Sequence, residues 1–349
     1  VFAIADRMIG EQHPCYIIAE LSGNHNREFE RAARLIREAK KAGADAVKLQ
    51  TYTADTLTID SDRDFFLIKG TAWDGKNLYA LYQEAHTPWE WQPRLQEIAD
   101  QEGITLFSTP FDVSAVDFLE GMGVPAYKVA SFEIVDLPLL ERIGRTGKPV
   151  ILSTGMATLA EIDEAVRTLR DAGAGGVALL KCASAYPAPP EAMNLSTIPY
   201  LAKAFGVPAG LSDHTLGIAA PVAAVALGAC VIEKHLTLSR SDGGPDSGFS
   251  LEPAEFAAMV RAVREAEAAL GEVRFGPAEH EEPSRVFRRS LFVVKEVKAG
   301  ERFTKDNVRS IRPGHGLAPK HLEAVLGRRA TRDIDPGTPL SWDLVGGNP

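Results

Sequence analysis

The sequence predicts a (β/α)8 barrel followed by a small β module, on three observations. From Tyr16 to about Leu270, short apolar runs alternate with amphipathic helical stretches, and eight such units fit the roughly 250 residues usual for that barrel. Nearly every apolar run ends in charged or hydroxyl residues, which a closed barrel would gather at one mouth and an open sheet would spread along an edge. A doubly wound sheet is the alternative, but no GxGxxG follows the first strand.

Residues 15–19 read as a buried strand ending at Glu20. The helix after it is expected to be capped by Asn26, to place Phe29, Ala33 and Ile36 on one face and to close at Gly43. Ala46 and Val47 open the second strand, which ends in Lys48-Leu-Gln50. A long excursion, 51–88, then carries Trp73 and a helix-like stretch at 78–84. The third run ends in Ser108-Thr109-Pro110, and the fourth carries Lys128 into Ser131 and Glu133. The fifth ends in Ser153-Thr-Gly155, and the sixth, closing at Cys182, leads to Ser184 and Tyr186.

The last two strands end in Ser212-Asp213-His214 and Glu233-Lys234-His235. Residues 217–228 between them are helix-like and long enough to return the chain to a parallel neighbour. A glycine-rich loop at 239–248 precedes a periodic helix with Phe256, Met259, Val260, Val263 and Leu270 on one face, ended by Gly271.

This places the barrel at 1–271, a linker with Pro277, Pro283 and an acidic cluster at 272–286, and the module at 287–349. The module contains a repeat: residues 297–308 are echoed by 334–345, with Val297, Gly300, Phe303 and Asp306 matching Ile334, Gly337, Leu340 and Asp343. Two short β units related by a pseudo-twofold are expected. A core this small is marginal alone, so the module is expected to pack on something larger.

With 45% hydrophobic and 24% charged residues, the composition is that of a globular chain with an ample core. No apolar run reaches the length of a membrane helix, and residues 1–14 hold no signal-peptide core. Cys15, Cys182 and Cys230 are dispersed and odd in number, which points to buried free thiols in a reducing cytoplasm. The net charge of -9 argues against broad nucleic-acid binding but allows an anionic small molecule wherever lysines cluster.

Two features separate the strand ends from a random polar rim. Several Ser and Thr hydroxyls and two or three lysines point at one place, which suits a phosphate oxyanion. His214 and His235, at matching ends of adjacent parallel strands beside Asp213 and Glu233, suit one divalent cation with open positions, although a single such His is ordinarily a hydrogen-bonded core residue. Imidazole ligands favour Mn²⁺ over Mg²⁺. Lys128 has a rival role as a Schiff-base nucleophile, which would make the chain an aldolase. A non-enzymatic reading takes the tail alone as an ice or carbohydrate binder.

Several stretches taken together resemble the sialic acid synthases: Glu20-Leu-Ser-Gly-Asn-His25, Ala46-Val-Lys-Leu-Gln50, Tyr127-Lys-Val-Ala-Ser-Phe-Glu133, Leu152-Ser-Thr-Gly-Met156, Gly210-Leu-Ser-Asp-His214 and Glu233-Lys-His235. The tail, with Arg312-Pro-Gly-His-Gly316, resembles their antifreeze-like (SAF) domain. Within the family, residues 19–25, 73–79 and 87–91 look most like the members that make pseudaminic acid. Leu21-Ser22 and Ser184 depart from the Ile-Gly and Asn usual in the N-acetylneuraminate branch.

The resemblance implies condensation of phosphoenolpyruvate with the aldehyde of an N-acetylated amino sugar, here a 2,4-diacetamido-2,4,6-trideoxy-altrose, with release of phosphate. A manno-configured sugar leading to legionaminic or neuraminic acid is the alternative. It further implies that His214 and His235 hold the metal and that Glu20 activates water. Lys48, Thr109, Lys128, Ser131, Ser153, Ser184 and Ser212 would bind phosphoenolpyruvate, and Gln50, Glu133, Tyr186, Asp246 and Arg312 the sugar. Arg312 would come from the partner in a domain-swapped homodimer.

Overall fold

Eight parallel strands close into a barrel in the computed structural model, which describes residues 1–70 and 73–347. They are β1 (Tyr16–Glu20), β2 (Ala46–Thr51), β3 (Thr105–Pro110), β4 (Tyr127–Val129), β5 (Pro149–Ser153), β6 (Gly176–Cys182), β7 (Ala209–Asp213) and β8 (Val231–His235). Each pairs with the next in order, and β8 pairs with β1 to close the cylinder. The helices that return the chain are α1 (Phe29–Lys41), α2 (Gln92–Glu102), α3 (Val113–Met122), α4 (Leu137–Gly144), α5 (Leu159–Asp171), α6 (Thr197–Phe205), α7 (Ala219–Ala226) and α8 (Pro253–Leu270). The expected barrel is therefore present, and the open-sheet alternative is not. Among the described residues no helix is long and apolar enough to cross a membrane.

Local chemistry sets the helix ends. Thr158 accepts from the Glu161 N–H while Glu161 reaches back to Thr158, fixing the start of α5. Asp112 accepts from Ser114 and Ala115 at the start of α3, and Gly103 ends α2 at φ 66°. One expected cap is absent. Asn26 does not cap α1, which begins after Glu28 with no side-chain cap. Asn26 instead sits at φ 50°, and its amide donates to the carbonyls of Asp242 and Gly243, tying the loop after β1 to the glycine-rich loop. Leu270 also departs from expectation: it is 52% exposed, while Phe256, Met259, Val260 and Val263 of α8 are buried as the periodicity requires.

An N-terminal hairpin, Phe2–Ile4 with Arg7–Ile9, was not legible as an element in the sequence. Ile4 and Ile9 enter the barrel's hydrophobic core, and Arg7 binds Asp45 at 2.6 Å. Phe2 lies over Gly176, where a methyl group would overlap its ring. These contacts lie at the amino ends of β2 and β6, so the hairpin seals the end opposite the mouth.

The second unit, Glu272–Pro349, has a core of its own around Leu291, Val293, Val297, Phe303, Ile334 and Leu340. Residues 279–287, all but the last within the stretch expected as a linker, form a 3-10 helix. The repeat is visible in the hydrogen bonds. Val297 N–H donates to Ile334 at 3.0 Å and Ile334 N–H donates back at 2.8 Å. Gly300 to Ala330 has its mate in Gly337 to Val293, and Phe303 to Arg328 has its mate in Leu340 to Leu291. In each mate the donor stands 37 positions later and the acceptor 37 earlier, the signature of a pseudo-twofold between Val297 and Ile334.

Candidate active site

Strand alternation sorts the polar strand ends into two sets, because side chains two apart share a face. Glu20, Lys48, Gln50, Lys128, Ser153, Ser212, Glu233 and His235 line a cavity of 390 Å³ at the carboxyl ends of the strands, joined there by Ser131, Glu133, Tyr186, His214 and Asp246. Asp213 and Lys234, one residue out of phase, point the other way. They are register partners across β7 and β8, fully buried, with Lys234 Nζ 2.5 Å from Asp213 Oδ2. Their expected place beside the paired imidazoles is corrected accordingly: they anchor the two strands from behind.

The floor of the cavity is a row of alternating charge. Lys48 Nζ lies 3.0 Å from Glu20 Oε2 and 3.2 Å from Glu233 Oε1, and Lys128 Nζ lies 4.0 Å from Glu233 Oε1. Ser212 Oγ donates to Glu233, and Gln50 Nε2 and the Ser22 N–H donate to Glu20 Oε1. Burial raises the Glu20 carboxyl to about 7, against the pull of Lys48 and with the push of Glu233. Burial acts on Glu233 too, but Lys128, Lys48 and the Ser212 hydrogen bond outweigh it and hold that carboxyl low. Of two neighbouring carboxyls, then, one stays ionised and the other exchanges a proton near neutrality, the division of labour that acid–base chemistry requires.

Lys128 is lowered to about 8 by burial, so it retains the option of imine chemistry, yet its Nζ donates to Val129 O at 2.8 Å and Ser153 Oγ at 2.7 Å. Ser131 Oγ accepts from the Gly155 N–H at 3.1 Å. A methyl group on Gly155 would overlap the hydroxyls of both Ser131 and Ser184. Lys128, Ser131 and Ser153 thus form one cradle of donors for an oxyanion, with the Gly155 amide orienting Ser131. Ser184 does not line the cavity wall, and its Oγ is buried without a partner behind Ser131. Thr109 is likewise off the wall, its buried hydroxyl unpartnered.

His214 and His235 face each other with ring centroids 5.3 Å apart. His214 Nδ1 contacts the Ala183 carbonyl at 3.1 Å, which fixes the ring, and Cys182 Sγ lies 3.8 Å from the same nitrogen. His235 Nδ1 is buried and has no partner. A buried, unpartnered ring nitrogen beside a second, oriented imidazole fits a metal ligand set. No group of three or more His, Cys, Asp or Glu able to hold a metal occurs among the described residues, so the remaining positions would fall to water or substrate.

The opposite wall is apolar and comes largely from the excursion after β2: Tyr52, Leu57, Ile68, Leu78 and Leu81, with Trp73 donating from Nε1 to Pro245 O. Tyr186 stacks 4.4 Å from His214 and 5.2 Å from Phe249. Ser22 donates to Asp246 and so fixes a carboxyl that burial raises. Glu133 is raised to about 7, chiefly by burial, and its Oε2 has no partner. Tyr52, Ser22 and Cys182 were missed in the sequence; only Cys182, sitting at a strand end, carried a usable signal. Arg312 is exposed and belongs to the second unit.

A barrel whose mouth holds a proton-exchanging carboxyl beside an oxyanion cradle is built as an enzyme, and this chain belongs to the NeuB family, whose model matches residues 35–275, with a SAF domain at 288–346. It is 46% identical to the pseudaminic acid synthase of Helicobacter pylori, over 95% of this chain and 98% of that one. It is 48% identical to the pseudaminic acid synthase of Campylobacter jejuni, over 93% and 95%. The crystal structure of the Bacillus subtilis spore coat polysaccharide biosynthesis protein spsE, 36% identical, superposes with a TM-score of 0.68 over 100% of this chain and 99% of that chain.

Proposed function

We propose that this enzyme condenses phosphoenolpyruvate with the open-chain aldehyde of 2,4-diacetamido-2,4,6-trideoxy-altrose, giving pseudaminic acid and phosphate. The observation that carries the reading is the shared cavity: an oxyanion cradle on Lys128, Ser131 and Ser153 adjoins the facing imidazoles of His214 and His235. The activity for which the Helicobacter and Campylobacter relatives are named supplies the sugar.

In this reaction C3 of phosphoenolpyruvate bonds to the aldehyde carbon, water adds at C2, and the C2–O bond to phosphate breaks. Lys48 and Lys128 offset the charge of phosphate and carboxylate, and Ser131, Ser153 and Ser212 orient them. Glu20, exchanging its proton near pH 7, takes one from the attacking water, while Glu233 stays ionised and holds Lys48 in place. Gln50, Glu133, Tyr186 and Asp246 bind the sugar hydroxyl and amide groups. His214 and His235 are proposed to hold Mn²⁺, which when bound polarises the aldehyde oxygen; Mg²⁺ is the alternative ion.

Arg312 is proposed to complete the sugar site of the partner in a domain-swapped homodimer, and the three buried free thiols support a cytoplasmic setting. Mixed dimers of Arg312→Ala and His235→Ala chains would then regain activity that neither parent has, and no recovery removes the swap.

The deciding experiment incubates the purified enzyme with phosphoenolpyruvate and, in turn, the altro sugar, its manno isomer and N-acetylmannosamine, with products read by mass spectrometry. Product from the altro sugar, lost on chelation and restored by Mn²⁺, is the expected result. Product only from a manno sugar transfers the chain to the legionaminic or neuraminic branch. Turnover indifferent to chelator removes the metal, and a borohydride-trapped adduct on Lys128 replaces the mechanism with imine chemistry.

A further inference from the structure

We propose that the excursion between β2 and α2 is a subsite for the second acetamido group of the sugar, with the Tyr52 hydroxyl donating to the amide oxygen and the apolar wall receiving the methyl. The proposal rests on the synthase reading above and names the residues that would set its choice of sugar.

Tyr52 is only 3% exposed, and its ring is held by Phe111 at 5.1 Å and Tyr82 at 5.7 Å, both edge-on. Such a ring has no freedom to turn its hydroxyl elsewhere. Yet that hydroxyl, which faces the cavity, has no hydrogen-bond partner among the described residues. Burial, with the charges of Asp246 and Glu20 nearby, keeps the phenol protonated far above neutrality, so it is a donor. That hydroxyl opens onto the cavity and is not sealed in the core, so it is free to donate to a bound ligand.

The surroundings specify the ligand. Leu57, Ile68, Leu78 and Leu81 line the same cavity and present no polar side-chain atom. A sugar substituent on this wall meets the Tyr52 and Tyr82 phenols and the Trp73 ring among hydrocarbon side chains. An acetamido group matches both: its carbonyl accepts from Tyr52 and its methyl removes apolar surface from water. The rest of the lining, from Glu20 across to His235, is mostly polar and suits the reacting end of the sugar.

The test compares kcat/KM for two sugars, the 2,4-diacetamido-2,4,6-trideoxy aldehyde and an analogue bearing hydroxyl in place of the C4 acetamido group. Wild-type enzyme is expected to prefer the first. Tyr52→Phe should reduce that preference about tenfold, the worth of one buried hydrogen bond, with KM for phosphoenolpyruvate within about twofold. Ile68→Asn, at a half-buried position that tolerates polarity, should reduce it similarly. Equal preference in wild type and both variants overturns the subsite, as does a wild type that treats the two sugars alike. A wild type that turns over neither sugar, nor any N-acetylated relative, overturns the parent reading instead.

Discussion

Replacing Lys234 by Met tests whether the two imidazole-bearing strands are locked from behind. Asp213 accepts from Lys234 Nζ at 2.5 Å, from the Thr215 N–H at 2.9 Å and from Thr215 Oγ1 at 3.1 Å, with both ion-pair side chains wholly inaccessible to solvent. Met preserves the apolar stem but leaves the carboxylate in the interior with two hydrogen bonds and no counter-charge. Breaking a buried pair on one side in this way costs about 3–5 kcal/mol. Removing both charges, as Asp213→Asn with Lys234→Met, should recover at least about 2 kcal/mol of it, since no lone charge remains. Urea denaturation followed by circular dichroism, run as a double-mutant cycle at pH 7, measures both values. A Lys234→Met loss below about 1 kcal/mol, or additive single and double variants, refutes the argument that a dry ion pair holds β7 to β8.

Two further outcomes follow from the cavity. Gly155→Ala forces the Ser131 and Ser184 hydroxyls apart, and overpacking of this kind costs about 1–3 kcal/mol; KM for phosphoenolpyruvate should rise at least about tenfold in steady-state assays, and an unchanged KM removes the cradle. Glu20 acts as a base only when ionised, and its carboxyl titrates near 7, so kcat should fall about tenfold from pH 8 to pH 6. In Glu20→Gln that limb should vanish and kcat drop about 10²–10⁴-fold, whereas a wild-type rate flat across that range would contradict the assignment.

The barrel was legible because its signal is repeated eight times: an apolar run, a polar end, a helix. The mouth was legible for the same reason, and Glu20, Lys48, Lys128, Ser153, Ser212, Glu233 and His235 all line it. Asp213 and Lys234 were misplaced although the cue was present, for in Ser212-Asp213 and Glu233-Lys234-His235 the period of two already assigns them to the outer face. Tyr52 and the leucines of the excursion were hidden for a different reason. That segment has no sustained periodicity, and its shape depends on packing across the barrel mouth, as the Trp73–Tyr186 ring contact shows. The hairpin at 2–9 is short and mixed in polarity, and only its burial against Gly176 and Asp45 reveals it.

The doubled tail has a consequence for how such a chain can change. Its two halves clasp each other through matched bonds, whereas residues 312–316, joining one half to the other, lie outside the duplicated segments. Substitutions of the exposed Arg312 and His315 leave the mutual grip of the halves untouched, whereas a side chain at Gly316 would press on the Leu291 carbonyl that Leu340 donates to. Alterations inside either copy disturb a bond whose twin persists on the far side of the axis. A frame of this kind lets new recognition chemistry be tried on the connector while the fold beneath it stays put.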